Sequence, residues 1–242
     1  MNEKLYIVMP AYNEEANIES VVNEWYPIVE RHSCENGSRL IIVNDGSKDA
    51  TLEKAKDMEK NRPLLEIIDK PNSGHGATIL FAYDYALSHG ADFIFQTDSD
   101  GQTRAEEFEQ FWNLRKDFDF IIGHRNHRED GFSRILVTKI LKIVLRIFFG
   151  VSITDANTPF RLMNSTTLAE SKKFVPKDFN LSNVILSVVY HKKKYRIKYI
   201  PITFRPRQGG KNSINVKRIF RIGKNALHDF MNIKRNLEKE GL

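Results

Sequence analysis

Asp98 and Asp100 stand one residue apart at the end of a short apolar run, in Phe93-Ile94-Phe95-Gln96-Thr97-Asp98-Ser99-Asp100-Gly101-Gln102. The run reads as a buried strand, and in an extended chain residues i and i+2 point the same way. Both carboxylates can therefore converge on one cation, with the Gln102 side-chain oxygen as a third donor. Hard oxygen donors of this kind suit Mg²⁺ or Mn²⁺ and the phosphates those ions carry. The pair alone also fits a polar turn, since Asp, Ser and Gly are ordinary turn residues. A further acid, Asp45, ends the apolar run Leu40-Ile41-Ile42-Val43. Acids at the carboxyl ends of strands sit where open α/β sheets bind ligands.

The elements that must position these acids follow from hydrophobic periodicity. Leu5 to Met9 is a strand that stops at Pro10. Asn13 is placed to cap a helix carrying Ile18, Val21, Val22, Trp25, Ile28 and Val29. Leu40 to Val43 is a second strand, followed by a polar helix from Asp49-Ala50-Thr51 to about Asn61. Leu64 to Ile68 is a third, and Asn72-Ser73-Gly74-His75-Gly76 leads into a helix ending near Ser88. Phe93 to Gln96 is the fourth strand, then Thr103 starts a helix with Phe108, Phe111, Trp112 and Leu114. Phe118 to Ile122 is the fifth strand. Strands alternating with helices mean βαβ units and a mostly parallel, doubly wound α/β sheet.

Beyond residue 130 the texture changes. Ile135 to Phe149 is nearly all apolar, with Lys139, Lys142 and Arg146 on one stripe. It is too short to span a bilayer; it fits an interfacial helix, a helix buried against a partner, or a core helix with a solvated stripe. Ile197 to Phe204 reads as another strand. The loop Arg205-Pro206-Arg207-Gln208-Gly209-Gly210-Lys211-Asn212-Ser213 is basic, and Ile214 to Leu237 reads as a basic amphipathic helix. Between Tyr190 and Asn225 there are twelve Lys or Arg and no Asp or Glu, within a net charge of +6. That is either a solvated face or a surface for an anionic partner. The aromatics expected of a single-strand binder are not evident there, which argues against nucleic acid. Cys34 is the only cysteine and the amino terminus has no signal-peptide pattern, so the expected compartment is the reducing cytosol. Gly74-His75-Gly76 does not complete G-x-G-x-x-G, because the last position is Ile79; His75 reads as unassigned surface.

Four motifs in order carry a resemblance. They are Pro10-Ala11-Tyr12-Asn13-Glu14-Glu15, Val43-Asn44-Asp45-Gly46-Ser47-Lys48-Asp49-Ala50-Thr51, Asn72-Ser73-Gly74-His75-Gly76-Ala77 and Asp98-Ser99-Asp100. Together they resemble the signature of family 2 glycosyltransferases with the GT-A, nucleotide-diphosphosugar transferase fold. Within that family, Asp98 to Gln102, Arg125, Ser133-Arg134 and Asp155-x-x-x-Pro159-Phe160-Arg161 look most like polyprenyl-phosphate sugar transferases, the dolichyl-phosphate mannose or glucose synthase type. The chain is then expected to be one glycosyltransferase domain, 1–242. Residues 1–130 would form its nucleotide-sugar half and 131–242 its acceptor half, with membrane-surface helices.

The resemblance implies that Pro10, Tyr12 and Glu14 line the nucleotide pocket and that Asp45 accepts from a base N–H, which both UDP- and GDP-hexose offer. A cation held by Asp98, Asp100 and Gln102 would neutralise the leaving diphosphate, and Arg125 and Arg134 would add charge-assisted bonds to phosphates. For the acceptor, a sugar hydroxyl needs a general base, yet Phe179-Asn180-Leu181-Ser182-Asn183 carries no carboxylate and Asp178 is isolated. A phosphate monoester is largely dianionic at neutral pH and needs cations instead, which Arg161, Arg205, Arg207 and Lys211 are expected to supply, with the Ser213 hydroxyl as a further phosphate ligand. Asp155 is left either as a base, which would return a saccharide or glycolipid hydroxyl to contention, or as an orienting group. Thr158 stands where the relatives usually carry Gly. The expected setting is the cytoplasmic face of a membrane, with an integral-membrane partner or a second copy as further partners.

Overall fold

The computed structural model describes residues 3–33, 37–125, 132–206 and 229–242, with the side chains of 132–139 left aside. Seven strands form one sheet in the order β3-β2-β1-β4-β6-β5-β7. They are β1 (Leu5–Ala11), β2 (Arg39–Asp45), β3 (Leu65–Lys70), β4 (Phe93–Thr97), β5 (Phe120–Arg125), β6 (Phe160–Asn164) and β7 (Ile197–Ile202). Neighbours pair in parallel except β6, which is antiparallel to both β4 and β5. The helices are α1 (Ile18–Arg31), α2 (Thr51–Glu59), α3 (His75–Ser88), α4 (Phe108–Trp112), α5 (Phe132–Phe149), α6 (Ser165–Lys172) and α7 (Ser182–Lys192), with α8 over 229–239.

Side-chain alternation on the strands divides the core between two faces. Leu5, Ile7 and Met9 of β1 join α1 and α4 on one face, while Tyr6 and Val8 join α3, α5 and α7 on the other. Because helices cover both faces, the central strands are apolar almost throughout, and β1 is buried along its whole length.

Several boundaries differ from the sequence expectation for identifiable reasons. β1 runs through Pro10 to Ala11. The Pro10 carbonyl faces the β4 side and accepts from Ser99 Oγ at 2.8 Å. The ladder with β4 has already ended at Val8, so the missing N–H interrupts no bond there. Asn13 is not the cap of α1. It sits in the left-handed region at φ 55, and its Oδ1 accepts from Lys48 N at 2.8 Å; α1 starts only after Asn17. Thr103 precedes a 3-10 turn at Ala105–Glu107 rather than a long helix, and β7 ends at Ile202.

β6, α6 and α7 were not foreseen. β6 alternates Phe160 and Leu162, on the α1 side, with Arg161 and Met163 on the other. A charged residue at the second position of a five-residue strand breaks the apolar pattern by which a strand is recognised. Of the amphipathic tail expected over Ile214 to Leu237, only 229–239 is described, and it is helical; the loop from Arg207 to Ser213 lies outside the described residues.

Candidate active site

The carboxyl ends of β1, β2 and β4 place the first acids together. Asp45 ends β2 and lies level with Lys70, the last residue of β3, in the parallel register. Lys70 Nζ donates to Asp45 Oδ1 and to Ser73 Oγ. Ser73 N and Gly74 N donate to the two Asp45 oxygens at 2.8 and 2.9 Å, and Asn72 Nδ2 reaches the Asp45 carbonyl at 2.7 Å. Gly46, at φ +64, permits this closure: a Cβ there would lie 2.9 Å from Asn72 N. Burial alone would raise the Asp45 carboxyl, but Lys70 and the Ser73 N–H together hold it below the usual carboxylate range. Asp45 is thus already the anchor of the 70–74 loop, and a base N–H would be a further donor to it. Lys70 was not singled out by the sequence; its signal was a lysine ending one strand level with an acid on the next.

Ser99 Oγ, bonded to Pro10 O, ties the turn after β4 to β1. Asp100 Oδ1 accepts from Gln102 N at 3.1 Å, with Gly101 at φ 70 between them. Tyr12 is 40% exposed beyond β1. Glu14 is buried, its carboxylate accepts from Asn17 Nδ2 at 2.7 Å, and its backbone N–H donates to Thr51 Oγ1, also at 2.7 Å.

Asp98 faces the mouth of this arrangement. Its Oδ1 is buried and has no hydrogen-bond partner. Burial raises the Asp98 carboxyl well above the usual range, Asp100 and Glu14 push the same way, and Arg161 and Arg125 oppose them. A buried, unsatisfied carboxylate oxygen among like charges fits a divalent cation. Among the described residues no three His, Cys, Asp or Glu side chains converge on one metal position. Gln102 turns elsewhere with its amide nitrogen, which donates to Arg205 O at 3.0 Å, while Gln102 O accepts from Arg205 N at 2.7 Å.

The expected acceptor cations are mostly engaged or enclosed. Arg161 has no exposed surface. It donates to the carbonyls of Thr158 (2.7 and 3.0 Å), Asn183 (3.1 Å) and Ala156 (3.2 Å). It therefore cannot grip an acceptor phosphate; it joins the loop before β6 to the start of α7 and puts positive charge behind Asp98. Arg205 donates to Glu24 at 2.8 Å and to Thr103 O at 2.9 Å, so it clamps the chain after β7 to α1 and is not a free phosphate ligand. Arg125 and Asp155 form a two-pronged pair, 3.0 Å on each prong, with Phe204 over the guanidinium. The Asp155 carboxylate thus accepts its hydrogen bonds from Arg125, while Arg161 feels its charge without a bond to it. The Arg134 side chain lies outside the described ones, as do residues Arg207, Lys211 and Ser213.

The chain matches the family model described as "Glycosyl transferase family 2" over residues 6–234. It is 32% identical over 154 residues to a dolichyl-phosphate beta-glucosyltransferase of Trichomonas vaginalis, covering 60% of this chain and 43% of that one. It is 26% identical over 224 residues to a UDP-N-acetylglucosamine–dolichyl-phosphate N-acetylglucosaminyltransferase of Methanococcus voltae, covering 84% and 86%. The chain thus spans less than half the length of the first relative and most of the second. A glucosyl-3-phosphoglycerate synthase of Mycobacterium tuberculosis, solved with Mn²⁺, uridine diphosphate and phosphoglyceric acid, superposes with a TM-score of 0.71. The two are 14% identical, with 96% of this chain and 78% of that one covered, a likeness of fold.

Proposed function

From a chain that belongs to glycosyl transferase family 2 and has the GT-A fold, we propose an inverting, metal-dependent transfer of a hexose from a nucleotide-diphosphosugar to polyprenyl phosphate at a membrane surface. Two relatives are named for dolichyl-phosphate acceptors, which supports the substrate class. The donor lies against Pro10, Tyr12 and Glu14, with its diphosphate toward Asp98 and Asp100. A divalent cation held by those carboxylates supplies charge neutralisation to the leaving diphosphate. The acceptor phosphate oxygen attacks the anomeric carbon from the face opposite the diphosphate. The C–O bond to the diphosphate breaks, and its electron pair leaves with the nucleoside diphosphate.

The observation that carries the choice of acceptor is the Arg125–Asp155 pair. A carboxylate gripped on both oxygens by one guanidinium is a poor proton acceptor, and the 179–183 segment has none to replace it. An acceptor that arrives ionised needs no base. The membrane setting is supported by α5, where Ile140, Ile143 and Ile147 are 51, 59 and 72% exposed beside Lys142 and Arg146. No described helix is long and apolar enough to cross a bilayer. We place the protein at the cytoplasmic face.

The test is label transfer from UDP- and GDP-hexoses to a short-chain polyprenyl phosphate with Mg²⁺ or Mn²⁺. Labelled lipid that disappears with EDTA is the expected result. Label moving only to saccharide hydroxyls, with turnover abolished in Asp155→Asn, would overturn the acceptor and restore Asp155 as a base.

A further inference from the structure

His75 has no place in the roles above, yet it stands at the centre of the site. It is the first residue of α3, its side chain is 51% exposed, and its Nε2 lies 3.9 Å from Asp98 Oδ1. That separation is too long for a hydrogen bond, and Asp98 Oδ1 is the buried oxygen with no hydrogen-bond partner. The two groups face each other across that distance, a carboxylate oxygen on one side and an imidazole nitrogen on the other.

The backbone around His75 adds donors of the same sign. Ser73 N and Gly74 N are directed onto Asp45, and the first bond of α3 runs from Thr78 N to Gly74 O. The N–H groups of His75, Gly76 and Ala77 precede that bond and have no partner within the helix, so the helix start favours negative charge. The position of that helix start is set by the opposite wall. A Cβ on Gly76 would fall 2.1 Å from Phe179 O, and one on Gly74 would fall 3.4 Å from Asn180 Oδ1. The 179–182 turn is thus seated directly on the residues flanking the imidazole. A carboxylate beside an imidazole and a helix start suits an anion that brings its own cation: the imidazole would meet the anion's oxygens and the carboxylate its cation.

We propose that His75 donates a hydrogen bond to the metal-bound diphosphate of the donor, and so selects nucleoside diphosphates over monophosphates. The proposal rests on the reading of Asp98 and Asp100 as the donor-side cation holders. Phosphate oxygens could also come from the acceptor, and a second or third ligand of the metal is the other role open to an imidazole here; the test separates these roles.

The full chain is titrated calorimetrically with UDP, GDP, UMP and GMP at saturating Mn²⁺, as wild type, His75→Ala and His75→Gln. Circular dichroism and melting curves confirm that the variants are folded. His75→Ala is expected to lose about tenfold in affinity for the diphosphate that wild type binds, the scale of one hydrogen bond to a charged group. Its affinity for the matching monophosphate should change by less than about twofold. His75→Gln, which keeps a side-chain N–H, should recover most of the loss. Equal losses for both nucleotides, or no loss, overturn the proposal. So does weaker Mn²⁺ binding by His75→Ala without nucleotide, which would make His75 a metal ligand. A raised KM for short-chain polyprenyl phosphate with donor affinity intact would assign it to the acceptor instead. A wild type that binds none of the four nucleotides overturns the donor reading itself, whereas wild-type binding with an insensitive variant overturns only the role of His75.

Discussion

Asp98 and Lys70 show how differently two charged residues in one site are balanced. Asp98 keeps a buried oxygen unsatisfied, so its stabilisation waits for a ligand. Asp98→Asn is expected to lower turnover by about a hundredfold or more while leaving the melting temperature unchanged or raised, since a buried like-charge conflict is removed. A melting temperature that falls with activity would mean that Asp98 supports the fold instead. Lys70, by contrast, already has its partner in buried Asp45. The Asp45 carboxyl is held low, so its contribution to stability is present above the unfolded value near 4 and is lost as pH falls through the lower folded value. Lys70→Met removes one of the interactions that oppose burial, leaving a buried carboxylate short of a counter-charge. At pH 7 this should cost about 3 kcal/mol, read as a lower melting temperature. The gap from wild type should narrow as pH falls below about 4, because protonated Asp45 no longer needs the lysine. A gap that stays constant with pH would show that the loss is one of packing, not charge.

At the scale of elements, the strands that could be read from sequence were those obeying one rule throughout. β1 to β5 are apolar runs ending in polar turns, and their order and approximate ends follow from that pattern. β6 breaks the rule because Arg161 is its second residue, paired across from Gln96, and the meaning of that arginine depends on carbonyls far apart in sequence. The same non-locality hid the fate of Arg205 and the partner of Asp155. The acids at the strand ends were legible; which cation meets which acid was not, because that is decided where loops cross. α3 illustrates the point through Gly76. Only a residue without a side chain lets α3 meet the Phe179 carbonyl so closely. Gly76→Ala must push that turn away, at a cost of about 1–3 kcal/mol. Because Gly76 adjoins His75, the donor KM should rise more than the acceptor KM. Equal changes in both would indicate a general loss of packing.

Over the whole molecule, polarity is distributed by end and by half. The carboxyl ends of the inner strands β2 and β4 carry Asp45, Asp98 and Asp100, while the basic residues gather late in the chain, twelve between Tyr190 and Asn225 without an acid. On the second half's surface, the exposed isoleucines of α5 lie near α8, whose Phe230 packs against Phe148 and Phe149 and whose Met231 is 44% exposed. A surface joining basic residues to exposed apolar ones, such as Lys142 and Arg146 beside Ile143 and Ile147, would be held at a bilayer by two terms that respond differently to salt. The electrostatic term, roughly 1 kcal/mol per Lys or Arg near an anionic surface, is screened as the Debye length shortens from about 10 Å at 0.1 M salt to about 3 Å at 1 M. The apolar term is not. Sedimentation with vesicles containing anionic lipid should therefore show binding that weakens with salt but does not vanish. Ile147→Asp should remove the salt-resistant fraction and leave most of the low-salt binding, with transfer to a short-chain acceptor in detergent unaffected. Equal binding to purely zwitterionic vesicles would refute the electrostatic term, and an Ile147→Asp variant that sediments like wild type at high salt would refute the apolar one.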